Sequence, residues 1–338
     1  MWKAVTEEGR AKFPVAALVG PTAVGKSRIA VEVASRLNGE ILSADSVQVY
    51  KGMDIGSNKT MPEDQVASSG KAIPHHLIDI CMPNDSFNVK EYQVRATKLI
   101  PEVVQRGALP ILVGGTGLYV KAVLGGYHLP PIGDVSQIRE SLAAELSKNG
   151  SVPLWNRLRH VDPESAERIH PNDARRIIRA LEVYIKTGIP FSELRKTQEA
   201  LPYATCKVGV TLDRDEIYRR INTRVIKMVE QGFVEEVANL LKTYGSDLPA
   251  LQSLGYRQLT AYLSGEKDLA TAIREIQRDT RHYAKRQLTW FKRDPEIVWF
   301  KLEKRYDPLR AAEQISDFIV HRLRVHIAGG KKNGQRLD

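Results

Sequence analysis

Eight consecutive residues, Gly20-Pro21-Thr22-Ala23-Val24-Gly25-Lys26-Ser27, carry the first chemistry legible in this chain: two glycines separated by four residues, then a lysine and a hydroxyl. In a loop of this pattern, backbone N–H groups and the N-terminus of the following helix converge on an anion. The lysine reaches a terminal phosphate oxygen, and the serine hydroxyl can ligate a magnesium ion. An ordinary glycine-rich turn would share the composition, but the flanks argue against it. Val15 to Val19 is a short apolar run suited to a buried parallel strand. Ile29, Ala30, Val33, Ala34 and Leu37 then recur with helical spacing until Asn38-Gly39. The loop joins strand to helix and holds a phosphate or diphosphate; a nucleotide is not implied by it.

A carboxylate follows at a telling place. Glu40 to Asp45 reads as a strand with Asp45 at its C-terminal end, where open parallel sheets bind ligands. Asp45 there is a magnesium ligand, a general base or the cap of a following turn, and Ser46, Val47, Gln48 and Tyr50 come directly after it. Lys51 to Lys59 reads as a mobile, glycine-containing loop lining the site. His75 to Ile80 is a third expected strand; its adjacent histidines point to opposite faces and so do not share a metal ion. A helix from Val89 to Arg106, stopped by Gly107, leads to the strand Leu109 to Val113 and then to Gly114-Gly115-Thr116-Gly117. Phosphate-hydrolysing enzymes often carry an acidic residue at such a strand end to organise magnesium and water. A threonine among glycines suits the stabilisation of a departing diphosphate, or forms a simple tight turn.

The elements that must position these groups make an α/β protein: a P-loop NTPase-like parallel sheet core flanked by helices, with a mainly helical insertion. The core takes 13–124 and 201–326, the insertion 125–200, and 327–338 is expected to be a disordered tail. Gly125 to Gly133 reads as a linker. Within the insertion Ile138, Leu142 and Leu146 mark one helix; another starts at the cap Asn172-Asp173, buries Ile177, Ile178, Leu181 and Ile185, and ends at Gly188. Arg175, Arg176 and Arg179 make its other face basic, either for a polyanion or simply as a solvated face. The core resumes with the strand Lys207 to Leu212 and an Asp-rich helix start at Asp213. A long helix from Leu269 to Lys292 stacks Arg274, Arg278, Arg281, Lys285 and Lys292 in one stripe. Ile273 to Arg293 holds seven Lys/Arg against two Asp/Glu, interleaved with Tyr283, Trp290 and Phe291.

Composition narrows the class. The 338 residues are 42% hydrophobic and 27% charged, with a net charge of +10, so a polyanionic partner is plausible by charge, although many basic proteins have none. No apolar run is long enough for a membrane span and the first twelve residues are too charged for a signal peptide, so a cytoplasmic protein without a membrane partner is expected. Cys81 and Cys206 have no metal-ligand or disulfide-framework spacing and are expected to be buried thiols.

Gly20 to Ser27, Leu42-Ser43-Ala44-Asp45-Ser46, Gln48-Val49-Tyr50, Met53-Asp54-Ile55-Gly56, His75 to Asp79, Gly114 to Tyr119, Gly255-Tyr256 and Lys285-Arg286-Gln287 together resemble the bacterial tRNA dimethylallyltransferases over nearly the whole chain. Ser57-Asn58 departs from that pattern, which has Thr-Ala before the lysine. The resemblance implies transfer of a dimethylallyl group from its diphosphate to N6 of adenosine 37, beside the anticodon of tRNAs reading codons that start with U. It implies a monomer that uses Mg2+ and binds dimethylallyl diphosphate and a tRNA anticodon loop. By the same resemblance Gly20 to Ser27 hold the diphosphate with magnesium on Ser27, Thr116 donates to the leaving oxygen, and Asp45 accepts the proton of the attacking amine. Asp45, Ser46, Val47, Gln48 and Thr116 then meet the flipped adenine. Arg139, the segment Asn172-Asp173-Ala174-Arg175-Arg176 and the segment Gln252-Ser253-Leu254-Gly255-Tyr256-Arg257 meet the tRNA, and Arg278 and Arg281 its backbone or the diphosphate. Two other classes use parts of this set. A P-loop nucleotide or metabolite kinase shares the loop, and Asp213 to Arg220 resembles a kinase lid; a non-catalytic RNA-binding protein shares the basic stripe but gives the loop no task.

Overall fold

The computed structural model describes residues 2–7, 10–126, 133–194 and 201–327. Residues 127–132 of the expected linker and the tail from 328 onward lie outside the described residues. The chain divides into two compact units, Met1–Val123 with Pro202–Asp338, and Leu124–Leu201. The first unit begins with β1 (Val5–Glu7), β2 (Arg10–Val19), α1 (Lys26–Leu37), β3 (Gly39–Ser43), β4 (His75–His76), α2 (Val89–Gln105), β5 (Leu109–Gly114) and α3 (Gly117–Leu124). The second contains α4 (Ser136–Asn149), α5 (Ser151–Val161), α6 (Pro163–Arg168), α7 (Ala174–Thr187) and α8 (Phe191–Leu194). The first then resumes with β6 (Tyr203–Thr211), α9 (Arg214–Glu230), α10 (Phe233–Tyr244), α11 (Tyr256–Leu263), α12 (Leu269–Phe291), β7 (Ile297–Lys301) and α13 (Pro308–Ile327).

Six parallel strands form the sheet in the order β4-β3-β5-β2-β6-β7, and β1 pairs antiparallel with the start of β2. The chain leaves β2 for β3 in one direction and returns from β4 to β5 in the other. Such crossovers are right-handed, so α1 and α2 fall on opposite faces and cover both. That is why Val15 to Val19 is a continuous apolar run: neither side of this stretch of β2 meets water, and each of the five residues is fully buried. In register, Ala16 lies between Ile111 of β5 and Cys206 of β6, which leaves the C-terminal ends of β2, β3 and β5 side by side. The loops that follow these three strands are the ones singled out by sequence.

The third strand is shorter than expected. His75-Ile80 was the expected span, but only His75 and His76 pair, because Leu77 (φ +63°) and Asp79 (φ +54°) enter the left-handed region and leave the ladder. The Asp-rich helix start expected at Asp213 is the start of α9, with Asp215 and Glu216 in its first turn and Glu216 binding Arg219 and Arg220 at 2.7 Å each. Cys81 and Cys206 are buried free thiols, and burial pushes them up to about 11 and about 12.

Within the second unit Leu142, Leu154, Leu158, Ile177 and Leu181 make the core. Asp173 caps α7 by accepting from the Arg176 N–H, and Gly188 ends it at φ +71°. Asp162 is buried, which by itself would raise its carboxyl. N–H donors from Ser165 at 3.0 Å and Ser192 at 2.9 Å, with their hydroxyls, outweigh burial and hold it below the usual range, so this carboxylate staples two helix starts together.

Candidate active site

Conformation, more than composition, makes Gly20 to Ser27 a cradle. Gly20 leaves β2 at φ +148°, and a Cβ there would stand 2.2 Å from the Val210 carbonyl oxygen; Gly25 turns into α1 at φ +94°. Three side chains hold the loop from within and from afar. Lys26 Nζ donates to the Pro21 carbonyl at 2.6 Å, the Tyr306 hydroxyl donates to the Val24 carbonyl at 3.0 Å, and Gln287 Oε1 accepts the Thr22 N–H at 2.8 Å. Arg224 of α9 reaches the Thr22 hydroxyl at 3.4 Å. Burial, then the Arg224 charge, brings the Lys26 ammonium down to about 7, with Asp45 opposing; Arg224 is likewise lowered by burial and by Arg220. Two crowded cations of one sign create a field that an anion relieves.

Asp45 follows β3 beside this cradle. Its Oδ1 accepts the N–H groups of Val47 at 2.8 Å and Gln48 at 3.3 Å, so the cap reading is realised in the structure. Oδ2 accepts no hydrogen bond among the described residues and is left for chemistry. Burial raises the carboxyl above its ordinary range against those N–H donors and Lys26, which makes Asp45 a stronger proton acceptor. Gln48 is fixed by Ser43 Oγ at 3.0 Å and by donating to the Asn58 carbonyl at 3.1 Å. The Thr116 hydroxyl accepts the Ser46 N–H at 3.3 Å, and Tyr283 of α12, pushed up to about 12 by burial, interacts with both Thr116 and Gln287.

The glycines around Thr116 are each held in close contact with a neighbour. A Cβ on Gly114 would meet the Ala44 carbonyl oxygen at 2.1 Å, one on Gly115 would meet Gln287 Nε2 at 2.1 Å, and one on Gly117 would meet Trp290 Cδ1 at 2.1 Å. They let β5 close onto the end of β3 and let α12 lie against both, which brings Thr116 to Asp45.

One cavity of about 500 Å³ gathers Lys26, Ser27, Asp45, Ser46, Val47 and Gln48 with Ser253, Leu254 and Gly255. Arg224, Tyr283 and Gln287 also face it, and Ile221, Val225, Met228 and Ile276 give it an apolar wall. The expected mobile loop at Lys51 to Lys59 is pinned instead. Glu236 of α10 accepts from the N–H groups of Asp54 (2.9 Å), Ile55 (2.7 Å) and Gly56 (3.1 Å), and buried Lys59 binds Asp54, Asp79 at 2.6 Å and the Tyr50 carbonyl at 2.9 Å. Tyr256 is fully buried with its hydroxyl donating to Glu236 at 2.7 Å, and Gln252 and Arg257 flank it, Arg257 binding Asp279 at 3.0 Å. Arg281 turns to Asn222 at 2.7 Å and Arg278 to Asp279 at 2.9 Å. In the second unit Arg139 forms a fork with Glu182 at 2.7 and 3.2 Å, while Asn172, Arg175 and Arg176 are exposed around the start of α7 at Ala174. The histidines part company: His75 Nδ1 is 2.8 Å from the Ile73 carbonyl and His76 Nε2 is 2.7 Å from Glu40. Arg224 and Tyr306 join the site without any local motif to announce them, and Gln287, though part of the quoted Lys285-Arg286-Gln287 motif, and Tyr283 join it in roles that the sequence did not assign.

The family model of the IPP transferases matches residues 48–294. The chain belongs to that family. It is 47% identical over 320 residues to a tRNA dimethylallyltransferase of Moorella thermoacetica, covering 94% of this chain and 98% of that one. It is 46% identical over 301 residues to one of Geobacter sulfurreducens, with 88% and 95% covered. The crystal structure of the full-length tRNA isopentenylpyrophosphate transferase of Bacillus halodurans is similar with a TM-score of 0.69 and 42% identity, over 92% of this chain and 97% of that one. A eukaryotic dimethylallyltransferase solved acting on tRNA is similar with a TM-score of 0.73 and 26% identity, over 96% and 86%. The family model begins after the phosphate loop of this chain, whereas the similarity to the eukaryotic enzyme, over 96% of the chain, takes the loop in.

Proposed function

We propose that this protein transfers the dimethylallyl group of dimethylallyl diphosphate to N6 of adenosine 37 in tRNAs that read codons starting with U. The observation that carries this is the shared cavity: a two-cation anion cradle, one carboxylate with a free oxygen and an apolar wall meet in it. The relatives named above, and the eukaryotic enzyme described as acting on tRNA, support the same substrate pair. The diphosphate lies in Gly20 to Ser27 against Lys26 and Arg224, with its five-carbon chain toward Ile221, Val225 and Met228. The adenine leaves the anticodon-loop stack and meets Gln48 and Asp45. The N6 lone pair forms the new bond to C1 as the C1–O bond breaks, the electron pair leaves with the diphosphate, and the N6 proton passes to Asp45 Oδ2. Thr116 donates toward the oxygen that departs.

Magnesium fits this site through Ser27, exposed on the first turn of α1 at the cavity edge; such an ion keeps several waters, takes substrate phosphate oxygens and needs only one or two protein ligands. When bound it would neutralise part of the diphosphate charge. Incubation with dimethylallyl diphosphate, magnesium and unmodified tRNA, followed by nucleoside mass analysis, should yield N6-(dimethylallyl)adenosine. Transfer of the ATP γ-phosphate to a small acceptor, with no prenylated nucleoside, would replace this reading with the kinase.

A further inference from the structure

We propose that Gln287 is a positioning residue that clamps the phosphate loop to the Gly114-Gly117 turn, setting the distance between the diphosphate cradle and the Thr116 hydroxyl; this rests on the reaction proposed above. The clamp is visible as a two-sided hydrogen bond from one buried amide. Oε1 accepts the Thr22 N–H at 2.8 Å, and Nε2 donates to the Gly115 carbonyl at 3.0 Å. Its partners are 265 and 172 residues away in sequence; the pairing of Val19 with Gly114 sets the two turns side by side, and the amide ties one to the other.

The geometry leaves little freedom. Gly115 approaches so closely that an added Cβ would overlap Nε2 at 2.1 Å, and Tyr283, one turn earlier on α12, interacts with both Gln287 and Thr116. The amide satisfies both partners because it carries an acceptor for one and a donor for the other, which an ionised carboxylate of the same size does not. Neither atom needs to touch the substrate. What the amide fixes is where a bound diphosphate stands relative to the group that receives its charge, and small errors of placement there are costly in rate.

The distinguishing variant is Gln287→Glu. Its carboxylate keeps the size and can accept from Thr22, but turns an acceptor onto the Gly115 carbonyl; protonation of that carboxyl restores a donor. Single-turnover dimethylallyl transfer should fall by roughly 10-fold or more at pH 8. The deficit relative to wild type measured at the same pH should shrink as pH falls to 5.5, a comparison that removes the titrations the two proteins share. The KM for tRNA should stay near wild type while kcat falls. Gln287→Met, equally long and unable to bond either loop, should show the deficit with no pH rescue. Binding of inorganic pyrophosphate by calorimetry, which needs no prenyl transfer, should weaken in Gln287→Met. A deficit that is equal at every pH and follows loss of thermal stability, or no deficit in either variant, would overturn the clamp. A wild-type protein that binds pyrophosphate but prenylates no tRNA would instead overturn the reaction on which it rests.

Discussion

Two glycine-rich turns stand side by side at the ends of β2 and β5, and they use glycine for different reasons. In Gly20 to Ser27 the glycines supply backbone angles, φ +148° and +94°, that shape a cradle. In Gly114 to Gly117 the three glycines all keep ordinary φ and supply room, each filled by a neighbour, Ala44 just past β3 or Gln287 and Trp290 of α12. The first turn is organised to receive an anion. The second is organised to bring a hydroxyl and a carboxylate together. Binding and chemistry are thus divided between adjacent loops, and variants should separate them.

The largest expected effect falls on the second loop's partner. Asp45→Asn should preserve diphosphate binding and the two N–H contacts of the cap, yet lower single-turnover transfer by on the order of 10²-fold or more. Unchanged turnover would move the base elsewhere and undo the division. Next is Lys26→Ala on the first loop, which should weaken diphosphate binding by about 1.5–3 kcal/mol. Lys26 in the free protein titrates at about 7, and a bound anion favours its charged form. Wild-type binding above pH 7 should therefore take up a proton and lose affinity as pH rises, which calorimetry in two buffers of different ionisation enthalpy measures; Lys26→Ala should show neither. The smallest effect tests room against angle. Gly117→Ala should cost about 1–3 kcal/mol of stability by overpacking, and Trp290→Leu in the same chain should recover much of it. Gly25→Ala should not be recovered by Tyr306→Phe, since removing the clashing hydroxyl leaves the φ strain. Denaturant melts of the two pairs decide it, and equal rescue would erase the contrast.

The local parts of this site were legible in sequence because they are short and ordered: the cradle, Asp45 at its strand end, the Gly-Gly-Thr turn and the helix starting at Leu269. What escaped were the braces. Gln287, Arg224 and Tyr306 meet the phosphate loop from 265, 202 and 282 residues away, and no periodicity encodes such a meeting. The cationic stripe on α12 was visible, while the opposite side of the same helix, where Tyr283 and Gln287 do their positioning, reads as ordinary core. The pinned loop after Gly52 misled for a related reason. Its glycines announce flexibility, and the Glu236 carboxylate that ends it comes from a helix far along the chain.

The strand order also has a consequence for synthesis. β2 emerges from the ribosome early, yet its two neighbours begin at Leu109 and Tyr203, and α13, which packs against α1, begins at Pro308. This central strand therefore waits for its β5 and β6 partners through much of translation, while the helices of Leu124–Leu201 share a core drawn from one short stretch. The helical unit can fold as it appears; the anion cradle closes last, and the nascent chain in between is where this protein is most exposed to misassociation.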